Sequence, residues 1–129
     1  MFVLESTYDG AGTVVEVLPF TNSEAAAVGE TLKFSSGKLT KAATTSKPAY
    51  VGIQKVAAGT NKTVEAIAVR TDQVWVADYV TAATGVPTVG AKHVLDADGL
   101  NIDADTTASG VVTIISVDTA KKKCRCKFE

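Results

Sequence analysis

Aromatic residues are scarce in this chain: four Phe, three Tyr and a single Trp, 6% of 129 residues. So few rings cannot wall a ligand pocket, and they favour a core of small aliphatic side chains suited to closely packed sheets. Cysteine is nearly absent. Cys124 and Cys126 are the only two, and in a strand their Cα atoms would lie roughly 6.6–6.8 Å apart. That is the upper limit for a disulfide, whose Cβ atoms approach within about 3.5–4.5 Å, so two reduced core thiols are expected. The lone histidine, His93, has no Cys-x-x-Cys nearby, which argues against a metal set and against a catalytic pair. No stretch approaches the roughly 20 apolar residues of a membrane span. Met1-Phe2-Val3-Leu4 runs directly into Glu5 and Asp9, so a signal peptide is not expected either. The net charge of −1 gives no whole-molecule field for nucleic acid or a membrane surface. No serine sits in a nucleophile-elbow sequence and no lysine follows a phosphate-cradling glycine loop. The chain reads as a soluble, cytosolically made, non-enzymatic protein without cofactor or metal.

What the chain has is a repeated β pattern. Leu32-Lys33-Phe34 turns at Ser35-Ser36-Gly37 and returns through Lys38-Leu39-Thr40; two strand-like segments follow, Tyr50–Val56 and Thr63–Val69. The same events recur downstream, with Gly37 and Gly99, Thr40 and Ile102, and Thr44 and Thr106 each 62 residues apart, and Val28 and Val89 61 apart. Val111–Val117 and Lys122–Phe128 then answer Tyr50–Val56 and Thr63–Val69. A single hairpin pair cannot close a core, so two related units, 28–69 and 89–128, are expected to pack into one β domain over 13–129. The expected fold is all-β: a small β-barrel or sandwich built from two related β-hairpin units, with an extended N-terminal arm and at most one short helix.

Residues 1–12 form that arm, carrying Phe2, Val3, Leu4 and Tyr8 and ending in Asp9-Gly10-Ala11-Gly12, a flexible turn. It either folds back as an edge strand or stays mobile until a partner orders it. Thr13–Phe20 reads as a strand closed by Pro19. Thr21-Asn22-Ser23 offers an N-cap before Glu24-Ala25-Ala26-Ala27, enough for one helical turn at most. Both faces of Thr63–Arg70 are apolar, which makes that strand central. In Gln73–Tyr79, Trp75 and Tyr79 share a face. In the last strand Lys121, Lys123, Arg125 and Lys127 face one way, and Cys124, Cys126 and Phe128 the other. A basic row on an outer strand guards against edge-to-edge pairing, or else meets an acidic partner. Asp96, Asp98, Asn101, Asp103 and Asp105 suggest calcium, but the glycine is misplaced for an EF-hand loop, and turn chemistry accounts for Asp98-Gly99.

The pieces VGETLKFSSGKLTKA, YVGIQKVAAGTNKTVEAIAV, VGAKHVLDADGLNIDADTT and KCRCKF cover most of Val28–Phe128. Together they resemble the small β-barrel group of tailed-bacteriophage capsid decoration (head cement) proteins. The chain departs from that group in its long N-terminal stretch and its Cys-Arg-Cys ending. The resemblance implies a non-enzymatic virion protein, made in the host cytoplasm, that binds the major capsid protein on the outer surface of the assembled head. It also implies a homo-oligomer, often a trimer at threefold or quasi-threefold positions. In that setting the capsid-binding arm would use Phe2, Val3, Leu4 and Tyr8. Protomer or partner contacts would fall to Trp75 and Tyr79 or to Lys123, Arg125 and Lys127. The alternative from another class is a β-barrel binding module, cytosolic or tail-associated, recognising carbohydrate or nucleic acid, with Trp75 and the basic strand as its support.

Overall fold

Alternating apolar and polar residues, punctuated by Gly and Asn turns, produce strands throughout the chain. A computed structural model describes residues 1–8 and 12–129. Its strands are β1 (Phe2–Thr7), β2 (Val15–Pro19), β3 (Thr31–Ser35), β4 (Lys38–Lys41), β5 (Tyr50–Gly52), β6 (Thr63–Ala68), β7 (Gln73–Val80), β8 (Lys92–His93), β9 (Ile102–Asp103), β10 (Val112–Asp118) and β11 (Lys123–Phe128). They form two sheets packed as a sandwich. One runs β2-β6-β5-β3-β4; the other runs β1-β7-β11-β10-β8, with β9 beside β7.

The two sheets share one wiring plan. In the first, Phe20 at the end of β2 meets Leu39 of β4 in a parallel bridge. In the second, Tyr79 at the end of β7 meets Ile102 of β9, also in parallel. Each sheet therefore curls until β2 touches β4 in one and β7 touches β9 in the other, along a contact too short to close a barrel. The duplication extends beyond 28–69 and 89–128, because β2 and β7 occupy equivalent places. Leu18 pairs with Val64 as Ala77 pairs with Cys124.

The hairpin turns explain how two dissimilar sequences keep one path. Ser36 (φ 49°) and Gly37 (φ 76°) both have positive φ, the type I′ combination that suits the strand twist of a two-residue loop. Gly99 has φ 69° at the corresponding place, but there the loop is longer. Asp96 accepts from the Gly99 amide (3.0 Å), and the Asp98 carboxylate accepts from the amides of Leu100 (2.7 Å) and Asn101 (3.2 Å). Gly99 is also a docking point. Its carbonyl accepts from the Thr31 amide and the Thr31 hydroxyl, both at 2.8 Å, fastening the second unit's turn to the first unit.

No helix occurs among the described residues. Where a helical turn was expected, Asn22 and Ser23 (φ 63°) form a turn and Ala26 bridges Val56 antiparallel. Four residues are too few to nucleate a helix. The Glu24 carboxylate instead accepts from the Lys41 amide (2.7 Å) and the Thr40 hydroxyl (2.6 Å), so it holds the edge of β4.

The core has two clusters. Phe20, Ala26, Leu32, Leu39, Val56, Val64 and Ala66 fill the first unit. The second is larger and holds all the buried large aromatics but Phe20: Trp75, Tyr79, Phe128 and Phe2, with Cys124 and Cys126, and with Val51 and Ile67 entering from the first sheet. Phe2 lies 5.2 Å from Phe128, and Trp75 packs edge-on to Phe128 at 5.7 Å. β6 is central as expected, between β2 and β5, with Val64 and Ala66 turned to one cluster and Ile67 and Val69 to the other.

Candidate functional site

Trp75 and Tyr79 cannot make protomer contacts. Their side chains point into the second core cluster and are 1% and 5% exposed. β7 lies between β1 and β11, so its inward face is covered by the opposing sheet. The expectation that these rings face a partner is corrected on that ground.

The N-terminal segment is the edge strand β1, antiparallel to β7 with Val3 opposite Val76, and with a bulge between Leu4 and Ser6. Phe2 is 2% exposed and belongs to the core, so it is not a capsid-binding side chain. Leu4 is half-buried against the same cluster, Val3 is about half exposed, and Tyr8 is exposed. The Asp9-Gly10-Ala11 part of the expected turn lies outside the described residues.

The basic row sits on β11, an interior strand between β7 and β10. It therefore guards no edge, and this too corrects the reading from sequence. Its outward side chains are met by acids. Lys123 pairs with Asp78 (2.6 Å), Arg125 with Glu5 (2.7 Å) and Lys127 with Glu129 (2.8 Å). Burial pushes the Asp78 carboxyl up, but the Lys123 and N-terminal ammonium groups outweigh it and hold it below the usual range. The hydrogen bond from Lys127 does the same for Glu129. Three of the row's four cations are thus neutralised within the chain, which leaves little net field for an acidic partner.

The remaining sequence candidates have local roles. Burial raises the Cys124 thiol to about 11 and pushes Cys126 well up as well, so both stay protonated and inert at neutral pH. His93 is buried; its Nε2 accepts from the Thr88 amide (3.1 Å), which places the proton on Nδ1, facing the Asp103 carbonyl (3.1 Å). In the acidic loop, Asp105 accepts from the Thr81 hydroxyl and the Ala82 amide, and Asp103 from the Asp105 amide. These are turn contacts, and with those of Asp98 they occupy the carboxylates locally.

The surface feature that stands out is aliphatic. A shallow groove of about 250 Å³ runs between β1 and the face of the first sheet, lined by Val3, Leu4, Val28, Gly29, Gly52, Ile53 and Ile67 among others. Val3, Val28 and Ile53 are exposed on its rim. Val15 and Val17 on β2 extend the same face, because Val15 lies opposite Ile67, and Val17 opposite Glu65, whose carbonyl accepts from the Ile53 amide. Sequence alone gave no signal for this strip, because Val3, Val28 and Ile53 lie in separate segments and become neighbours only through packing. The other exposed ring is Phe34, 52% exposed and edge-on to Tyr50 at 5.6 Å. A hydrogen bond to Glu16 is the main cause raising the Tyr50 hydroxyl.

No protein-family model matches the chain, and no curated protein matches it.

Proposed function

We propose that this is a virion structural protein that binds the outer surface of the assembled phage head and cements the capsid lattice. Its partner is the major capsid protein, and it acts as a homo-oligomer, with the trimer favoured by the resemblance of its glycine turns and Val/Ala strands. The observation that carries the reading is the aliphatic strip Val3–Val28–Ile53 beside the outer edge of β1. It joins exposed apolar side chains to a sheet edge, a combination suited to adhesion. β1 is an edge strand, so alternate backbone groups point away from β7. The Phe2 amide, which donates to the Gly29 carbonyl (3.0 Å), marks that outward set, and Leu4 belongs to it by alternation.

A protein of this kind works by linkage: binding only the expanded lattice stabilises that lattice, repeated at every symmetry-related site. The test is cosedimentation of the purified protein with undecorated, expanded heads. The wild type is expected to pellet with heads, and Val28→Asp and Ile53→Asp to remain in the supernatant while melting normally. Wild type that stays in the supernatant, or variants that bind equally, would overturn the reading.

A second reading is favoured by one observation. Phe34 and Tyr50, with Glu16 beside them, form an exposed ring-and-carboxylate patch of the kind that binds carbohydrate by stacking and hydrogen bonding. Glycan binding lost in Phe34→Ala, with no binding to heads, would favour it.

A further inference from the structure

Among the described residues, no strand covers the edge of the first unit that corresponds to β1's place in the second. β1 covers the outer edge of β7, giving one sheet six strands, whereas β2, the counterpart of β7, ends the five-stranded sheet. The direction of its backbone groups follows from one bond: the Phe20 amide donates to the Lys62 carbonyl on β6 (2.9 Å). By alternation Leu18 and Glu16 also bond to β6, so Thr13, Val15 and Val17 turn their N–H and C=O groups outward. Val14 and Val17 are 67% and 61% exposed and Val15 is about half exposed. Two of the other edges carry lysines, Lys38 and Lys41 on β4 and Lys92 on β8, whereas β2, like β1 and β9, carries none. Lysine is a common way to block strand pairing at an edge, and here it is missing.

We infer that the occupant is β2 of a second copy of this chain, paired antiparallel across a two-fold axis with Val15 opposite Val15. The residues select this register. Centring the pair on Glu16 would oppose two carboxylates, which is destabilising. Centring it on Val17 would require a donor from Pro19, which has none, at the point where β2 meets β4. Centred on Val15, the Val15 groups bond to each other and Val17 bonds to Thr13 of the partner. Val14 then faces Glu16, and no charge meets its like. The geometry joins two five-stranded sheets into one continuous sheet. A contact of one short strand is small against the roughly 1,200–2,000 Å² of a standard interface, so the association is weak and builds with concentration. It does not depend on the head-binding reading, since it uses a different edge from the Val28–Ile53 groove.

Sedimentation equilibrium across rising concentration tests it. The wild type is expected to rise from 13.3 kDa toward twice that mass, with the Val15 and Val17 amides gaining protection from hydrogen exchange as it does so. Val15→Pro removes the outward donor while leaving the bonds to β6 intact, and is expected to stay monomeric with an unchanged melt. If Val15→Pro unfolds, Val15→Lys, which keeps the donor but adds opposed charges, serves in its place with the same expectation. A wild type that is monomeric at millimolar concentration, or an oligomer of any size whose Val15 and Val17 amides gain no protection, would overturn the inference.

Discussion

The two halves of this protein follow the same strand order and close with the same parallel contact, yet they are filled differently. The first unit packs small residues around Phe20 and leaves Phe34 and Tyr50 at its surface. The second collects Trp75, Tyr79, Phe128 and the two thiols, and adds β1 with Phe2 as a sixth strand. Glycine turns set the path in both, while side-chain volume decides which half holds most of the large rings. The lesson is that a repeated backbone can carry unequal loads. The heavier core anchors the molecule, and the lighter half, with its bare β2 edge and aliphatic face, is left with surface to offer.

The largest test of that asymmetry is truncation of a ring in each half. Phe128→Ala is expected to cost about 3–5 kcal/mol, since it empties a fully buried site between Phe2 and Trp75. Phe34→Ala, at a half-exposed position, should cost less than about 1 kcal/mol. Denaturant melts of both give the comparison, and equal losses would break it.

A pH series sharpens the same contrast. Val64 stands in the first unit where Cys124 stands in the second. Below pH 9 the Cys124 thiol is protonated in the folded and the unfolded chain alike. As pH rises from the ordinary value of 9.0 to about 11, only the unfolded chain ionises at this position, so stability falls. The loss reaches roughly 2 kcal/mol by pH 11, where the folded thiol begins to ionise as well. Replacing both cysteines by alanine should lower stability at neutral pH but flatten this alkaline decline, as read from thermal melts at several pH values.

The two turn glycines make a finer comparison. A Cβ on Gly37 would meet nothing within 4 Å, whereas one on Gly99 would lie 2.9 Å from the Ala42 carbonyl oxygen. Both substitutions to alanine incur the positive-φ penalty of about 1 kcal/mol. Gly99→Ala should cost about 1–2 kcal/mol more, since the seam between the units must open to accept it.

These contrasts also show what was legible beforehand. The glycine spacing disclosed the doubling, and alternation disclosed the central place of β6 and the inward thiols. The pairing of β2 with β7 in the repeat was hidden, because neither Thr13–Phe20 nor Gln73–Tyr79 carries a glycine landmark. The fate of Trp75 and Tyr79 was hidden for another reason. Alternation says that two rings share a face, but only the packing of the sheets says that this face is inside. β11 looked like an outer strand because one of its faces is a row of lysines and arginine, whereas strand order in a sheet is set by long-range pairing that local pattern does not encode.

The claim on which the rest turns is that β1 is a fixed strand of the larger half, so that adhesion falls to the aliphatic strip beside it and not to a free arm. Native-state hydrogen exchange on the isolated protein tests this most directly at the Val3 amide, which faces Val76 of β7. Protection comparable to that of β7 and β11 is the predicted result. Exchange at the rate of an unstructured peptide, before any partner is added, would contradict it.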